Sequence, residues 1–292
     1  MVDTPYIGYI LNILLFSGLS FFTLWIAKTY GFFALPYSKR ADLLLPGRDL
    51  VILFAIYLLT TLFLAHTLVF IAYHLYAEMR PGMPLPLATL RSIQLLTVGV
   101  LVLCFFLYTR RVDAQRFKRI WKDHTLLPTR SFALDMALGF LTFFIAFPLV
   151  ALIGECADML LYAFFHVESY EQVAVRYLKM NLSSLEAMLV PLLMILIVAP
   201  VIEEFLFRGC LQTFLRKKVG FKKAILLSSL CFALFHFSPE QGLGNFSLLA
   251  SLFSFALFLG FIYERQASLF ASIALHMTFN GFSTIRILFF AD

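Results

Sequence analysis

Long apolar runs, separated by short polar segments, account for most of the chain. Several of the runs contain the roughly 20 residues that an α-helix needs to cross a hydrocarbon core about 30 Å thick. The pattern therefore predicts an all-α polytopic membrane bundle of about eight transmembrane helices. The predicted spans are residues 7–27, 50–73, 92–108, 133–153, 185–215, 222–237, 246–263 and 267–290.

Two of these runs depart from a simple spanning helix. The fifth, residues 185–215, is too long for an upright span and contains Pro191 and Pro200. Proline donates no backbone hydrogen bond and its ring collides with the preceding turn, so we expect a kink at Pro200. The fourth run continues to Phe165 beyond a polar interruption at Glu155. We expect that tail to form an interfacial or loop-side helix.

The composition agrees with a membrane protein and changes the choice of partners. Of the 292 residues, 61% are apolar and 14% are charged, whereas soluble domains are about 45–50% apolar. The net charge of +6 comes from basic residues in short clusters between the apolar runs. Such clusters are typical of membrane orientation signals, so we expect a lipid bilayer and not nucleic acid as the partner.

The distribution of Lys and Arg among the loops predicts an orientation. Alternate loops, at 28–49, 109–132, 216–223 and 264–266, carry 17 of the 23 basic residues, and the intervening loops carry four. Cytoplasmic loops collect Lys and Arg. We therefore predict a multi-pass protein with both termini on the non-cytoplasmic side.

The polar residues inside spans divide the chain into two parts. Residues 1–165 form a predicted N-terminal region of four spans in which we recognise no motif. Residues 185–290 form a predicted core of four spans that holds the candidate chemistry.

The fifth span carries three charged residues directly after Pro200. A charge at the bilayer centre costs about 2.5–3.5 kcal/mol on insertion scales, so such residues usually face a partner or a wet cavity. Glu204 and Arg208 are four residues apart on one helix face, which favours a structural ion pair. Glu203 points about 100° away and lacks that partner. This carboxylate is the candidate general base.

Two histidines and an asparagine lie at comparable depths in other spans. His236 ends the sixth span, and His276 and Asn280 share one face of the eighth. At about 1.5 Å per residue, Glu203, His236 and Asn280 lie roughly 20 Å from the cytoplasmic ends of their helices, and His276 about 14 Å. Proton-transfer and hydrogen-bonding groups at one membrane level predict a single catalytic site.

The motifs occur in a recognisable order: Glu-Glu-x-x-x-Arg, then Phe-x-x-x-His, then His-x-x-x-Asn. In this respect the chain resembles the CPBP (ABI) family of CAAX-type and bacteriocin-processing intramembrane proteases, including the type II CAAX prenyl endopeptidases. The resemblance covers roughly residues 185–285. It implies an intramembrane endopeptidase acting on a membrane-embedded or lipid-anchored protein or peptide.

The resemblance also implies a role for each motif residue. Glu203 and His236 would activate the attacking water, and His276 and Asn280 would stabilise the oxyanion. The pair of Glu204 and Arg208 would brace the site. These roles suit peptide hydrolysis, which needs a base for water, donors for the oxyanion and a proton for the leaving amine.

Metal dependence has two readings in the sequence. Two histidines and a carboxylate can form a three-ligand zinc site with an open position, here Glu203, His236 and His276. The chain has no His-Glu-x-x-His run. We therefore expect no cofactor, with zinc as the alternative.

A non-enzymatic function is the competing hypothesis. The polar cluster could serve as an ion or proton relay in a transporter, or belong to a bacteriocin immunity partner. A relay has no need of a separate pair of oxyanion donors, which favours the protease. A purely structural cluster would predict that Glu203→Gln is tolerated.

Overall fold

The residues that the computed structural model describes are 4–35, 45–127, 131–167, 176, 178–179 and 185–290. Over these ranges the chain is all-α, and the strand-like pairing they contain is one isolated bridge between Lys122 and Ser268. The predicted helical bundle is confirmed, and a helix coincides with each of the eight predicted spans. The helices are α1 (Thr4–Thr29), α2 (Gly47–Met79), α3 (Leu87–Trp121), α4 (Phe132–Phe165), α5 (185–219), α6 (Phe221–Leu234), α7 (Asn245–Gln266) and α8 (Leu269–Phe290).

Six of these helices, α1 to α5 and α7, are long and apolar enough to cross a membrane by length and composition. The chain is therefore a multi-pass integral membrane protein. Helix α6 has only 14 residues, so it is about 21 Å long and shorter than a hydrocarbon core. Helix α8 contains His276, Asn280 and Arg286, which lower its hydropathy. Helix α8 and the turn that follows α6 thus carry three of the four predicted catalytic residues.

Helices α3 and α4 both continue beyond their predicted ends. Helix α4 runs unbroken to Phe165, so the predicted interfacial tail is part of one 34-residue helix. Its polar interruption needs no break because Glu155 accepts a hydrogen bond from Asn12 of α1 at 3.2 Å. Helix α3 reaches Trp121 and breaks locally at Asp113, whose carboxylate caps the following turn.

Helix α4 packs centrally against α1, α7 and α8. Gly139 makes the contact with α8 possible, because a Cβ at this position would overlap the carbonyl oxygen of Ala271. Small residues commonly allow such close approach between membrane helices. The N-terminal helix α4 thereby fixes the position of α8.

Aromatic side chains join α5 to α2 and α3 of the N-terminal region and to α6. Phe205 stacks on Trp121 of α3 with ring centroids 5.7 Å apart. Phe207 contacts Phe54 of α2 and Phe232 of α6, at 5.5 and 5.2 Å. Helices α2 and α3 therefore hold one side of α5, while α7 and α8 hold the other.

Three polar contacts, one helical turn apart, set the register between α5 and α7. They are Arg208 Nη2 to the Ala256 carbonyl at 3.3 Å, Gln212 Nε2 to the Gly260 carbonyl at 3.0 Å, and Arg216 Nε to the Glu264 carboxylate at 3.3 Å. The residues on each helix are four apart, so each set lies on one face. These contacts anchor the part of α5 that follows the candidate base.

Helix α5 leaves α geometry on both sides of the two glutamates. Wider π turns occupy Met194–Val198 and Phe205–Gln212, with a short α segment, Ala199–Glu204, between them. The sequence predicted a kink at Pro200, and the first π turn ends two residues before that proline. π turns frequently occur at functional sites, because the extra residue changes which side chains share a face.

Candidate active site

The four predicted catalytic side chains line one cavity of about 550 Å³ inside the bundle. Helix α5 contributes Glu203, the turn after α6 contributes His236, and α8 contributes His276 and Asn280. Apolar residues of α4 and α7, including Val150 and Phe255, complete the wall. The structure therefore brings together residues from positions up to 77 apart in the chain (203 to 280).

Glu203 faces both imidazoles. Its Oε2 lies 3.7 Å from Nε2 of His236 and 3.9 Å from Nε2 of His276. Both distances exceed a hydrogen bond, so the three atoms surround a gap in which one water molecule can bridge them. The Glu203 side chain is 18% exposed and that of His236 is 31% exposed, so the gap is open to the cavity.

The orientation of His236 is set by its own helix. Its Nδ1 lies 2.8 Å from the carbonyl oxygen of Phe232, one turn earlier. Because a carbonyl only accepts, Nδ1 carries a proton that it donates to Phe232, and Nε2 is the ring nitrogen that faces Glu203. The spacing in Phe-x-x-x-His therefore gives the imidazole a backbone partner.

Glu204 joins the ion pair to the second imidazole. Its Oε1 accepts from Nη1 of Arg208 at 2.9 Å and lies 2.9 Å from Nδ1 of His276. The side chains of Glu204 and Arg208 are completely buried, and that of His276 is 6% exposed. The predicted ion pair is present. The contact between Glu204 and His276 was not predicted, and its only sequence signal is the similar depth of the two residues.

Phe232 is a further residue of the site that the sequence argument left without a role. The guanidinium carbon of Arg208 lies 4.3 Å from the centre of its ring. The same ring is 4.7 Å from that of His236 and 5.9 Å from that of His276. An aromatic face stabilises a desolvated cation. Phe232 therefore supports Arg208 and separates it from the cavity histidines.

Asn280 contacts the helix backbone of α5. Its Nδ2 donates to the carbonyl of Ile195 at 2.8 Å, within the first π turn. The carbonyl acceptor fixes which end of the amide faces α5. One of the two N–H groups on Nδ2 is therefore already used by the protein.

The cavity extends from Glu203 toward one end of the bundle. Its wall includes the first half of α7 and much of the second half of α8, whereas the turn at 267–268 joins the other ends of these two helices. The basic loop at 216–223 lies near that turn, because Arg216 contacts Glu264 at the end of α7. Polar uncharged side chains line this extension, namely Ser238, Gln241, Ser251, Ser283 and Thr284. The cavity therefore lies on the side of Glu203 away from the basic loops.

No three His, Cys, Asp or Glu side chains in the described part of the chain are arranged so that they could hold a metal ion. The zinc alternative named Glu203, His236 and His276. Metal dependence stays a prediction, and chelation experiments distinguish the zinc site from metal-free hydrolysis.

Comparison with known proteins identifies the region that forms this site. Residues 185–282 match the family model described as Type II CAAX prenyl endopeptidase Rce1-like. No curated protein and no solved structure matches the chain. The matched region contains α5, α6, α7 and most of α8, and with them every motif residue of the cavity. The resemblance to the CAAX-type intramembrane proteases is thus confirmed over residues 185–282.

Proposed function

We propose that the protein is an intramembrane endopeptidase in which Glu203 and His236 activate a water molecule for attack on a peptide bond. The family match supports protease activity in general, and the roles of individual residues are our proposal. The observation that carries it is the 3.7 Å separation between Glu203 Oε2 and His236 Nε2 at the wall of an internal cavity.

The two groups suit the activation of water because both accept protons. The proton on His236 Nδ1 is engaged by Phe232, so a water between the groups donates one hydrogen to the lone pair of Nε2 and the other to Glu203. Transfer of a proton to Glu203 leaves a hydroxide-like oxygen that adds to the carbonyl carbon. As the C–N bond breaks, that proton passes to the leaving amine.

His276 is placed to stabilise the oxyanion formed in this step. Glu203, Glu204 and Arg208 together carry a net charge of −1 inside the bundle, and a proton on each ring nitrogen of His276 would bring the total to zero. With Nδ1–H held by Glu204, a second proton on Nε2 would point toward the gap and donate to a developing negative charge. Asn280 lines the same wall with its second N–H.

The substrate class follows from the cavity. Its wall is apolar with scattered hydroxyl and amide groups. Among the described residues that line it, Glu203 is the one acidic or basic side chain besides the histidines. A peptide segment with uncharged side chains, presented by a membrane-embedded or lipid-anchored protein, fits this lining.

The buried polar residues argue against a proton relay. A path from the cavity to the basic end of the bundle follows α5 through Arg208 and Arg216. Arginine keeps its proton under all ordinary conditions, so it interrupts proton transfer. Proton transfer along this route is therefore interrupted, which favours the protease over a relay.

Comparative peptide analysis tests the proposed function. Membrane peptides from host cells that lack the chain, complemented with wild type or with Glu203→Gln, are compared by mass spectrometry. Glu240→Gln is a matched control, because Glu240 is exposed and outside the cavity wall. We expect new peptide termini with wild type and Glu240→Gln and their loss with Glu203→Gln. Identical termini in all three samples would exclude Glu203 as the base.

A further inference from the structure

The first π turn of α5 leaves one backbone carbonyl without its usual donor. The N–H of Ala199 bonds to the carbonyl of Met194, five residues earlier. In the same pattern, the next N–H would belong to residue 200 and would bond to Ile195. Residue 200 is proline and has no N–H. The combination of π turn and Pro200 therefore frees the Ile195 carbonyl.

Asn280 of α8 supplies the missing donor. Its Nδ2 lies 2.8 Å from the Ile195 oxygen. Asn280 follows His276 by one turn on the same face, and Glu203 follows Pro200 by one turn on α5. This hydrogen bond therefore links the turn that precedes the candidate base to the turn that carries the second histidine.

We infer that Asn280 is a positioning residue whose amide keeps the Met194–Val198 segment in π geometry. The inference rests on the proposed function, in which Glu203 must face both histidines. It gives Asn280 a role distinct from that of an oxyanion donor, because the N–H concerned points at the protein backbone and not at a substrate.

The physical reason is a competition between two helix geometries. Without Asn280, the Ala199 N–H can return to the Ile195 carbonyl in the ordinary α pattern, and the carbonyl left without a donor is then that of Leu196, whose partner would be Pro200. Asn280 thus favours the π turn because it pairs the carbonyl that only the π turn leaves free. The return to α geometry removes the extra residue of the π turn and rotates one half of α5 relative to the other by about 100°. Arg208 and Gln212 anchor the second half on α7. The rotation would therefore displace the cavity wall at Ile195 relative to Glu203.

A double-variant cycle tests this role. Pro200→Ala restores an N–H at position 200, which can bond to Ile195 in π geometry and replace Asn280. Asn280→Ala is made in the wild-type chain and in the Pro200→Ala background. Cleavage of the peptides that define wild-type activity and the midpoint of thermal unfolding in lipid nanodiscs are measured for all four proteins.

We expect Asn280→Ala alone to reduce cleavage by at least about tenfold and to lower the unfolding midpoint. In the Pro200→Ala background, the loss of cleavage caused by the same substitution should be at least about threefold smaller than in the wild-type chain, because neighbouring contacts are not additive. The loss that remains measures the second N–H of Asn280 as an oxyanion donor. An equal loss of cleavage in both backgrounds would overturn the inference and leave Asn280 an oxyanion donor only.

Hydrogen exchange separates this inference from the proposed function. In Asn280→Ala the amide of Ala199 should change its exchange rate, and Pro200→Ala should restore the wild-type rate. This measurement needs no cleavage, so it remains decisive if the wild-type protein cuts no peptide. An unchanged exchange rate in Asn280→Ala would contradict the positioning role.

Discussion

Glu204 Oε1 lies 2.9 Å from Nδ1 of His276 and accepts from Arg208 at the same distance. One buried carboxylate oxygen thus faces both a permanent cation and an imidazole. The arrangement orients His276 so that its Nε2 points toward Glu203, 3.9 Å away. The adjacent glutamates therefore have different surroundings, since one is held by partners inside the protein and the other faces the cavity.

The different surroundings predict different effects of the same substitution. Glu204→Gln leaves Arg208 buried without its carboxylate, which costs about 3–5 kcal/mol, so both stability and cleavage should fall. Glu203→Gln removes no direct hydrogen bond that we observe for the carboxylate, so the fold should survive. Its cleavage rate should fall by about 10²–10⁴-fold, as is typical when a general base is lost.

Thermal unfolding in nanodiscs, measured beside the cleavage rate, checks this contrast. If Glu203→Gln mainly lowers the unfolding midpoint, the Glu203 carboxylate has a structural role and the hypothesis of a purely structural cluster gains support. If Glu204→Gln keeps wild-type stability, the buried ion pair does not hold the site together.

Metal removal gives the second prediction. Because two proton acceptors at the cavity already suffice to activate water, we expect cleavage to survive dialysis against a strong chelator. Zinc content of the purified protein is measured by mass spectrometry in the same samples. Loss of cleavage on chelation, with recovery on added zinc, would instead assign Glu203, His236 and His276 as zinc ligands.

The contact between α5 and α7 predicts the effect of a methyl group at Gly260. A Cβ there would lie 2.8 Å from Gln212 Oε1 and 3.1 Å from a methyl carbon of Ile225. Gly260→Ala should therefore push Gln212 away from the α7 backbone and lower the unfolding midpoint. Gly99→Ala is the matched control, because beyond its own helix backbone and chain neighbours a Cβ at Gly99 would meet no described atom within 4 Å.

In the control, replacing glycine within a helix should leave stability unchanged or raise it by up to about 1 kcal/mol. Equal unfolding midpoints for Gly260→Ala and Gly99→Ala would show that the Gln212 contact does not determine the helix register.

Much of the architecture was predictable from hydropathy alone. A segment that crosses lipid must pair all of its backbone N–H and C=O groups internally, so a long apolar run predicts a helix. The ion pair of Glu204 and Arg208 was also predictable, since a spacing of four places two side chains on one helix face. The contact of Glu204 with His276 was not, because it joins residues 72 apart and depends on the rotation of α5. Two π turns in α5 set that rotation, and a uniform period of 3.6 residues per turn does not predict them.

Pro200 was read only as a cause of a kink, although it also marks where the backbone releases a carbonyl to Asn280. Sequence spacing shows which residues share a helix face but not which backbone groups need a partner from another helix. Similarly, the support that Phe232 of the second motif gives to Arg208 depends on the position of its ring, which motif spacing does not predict.

The last prediction concerns the side of the membrane from which substrate reaches Glu203. The cavity extends from Glu203 toward the helix ends opposite the basic loop at 216–223. Basic loops are retained in the cytoplasm, so the cavity should open away from the cytoplasm, with both termini on that same non-cytoplasmic side.

Single cysteines are placed at Lys217 and at Ser283 in a chain whose four native cysteines are replaced by serine or alanine. In intact cells, a membrane-impermeant thiol reagent should label Ser283→Cys and leave Lys217→Cys unlabelled until the membrane is permeabilised. Met83→Cys, in the exposed turn between α2 and α3, reports the non-cytoplasmic side independently of the cavity. Labelling of Lys217→Cys alone would reverse the orientation, whereas labelling of Met83→Cys without Ser283→Cys would keep the orientation and show that the cavity is closed to water.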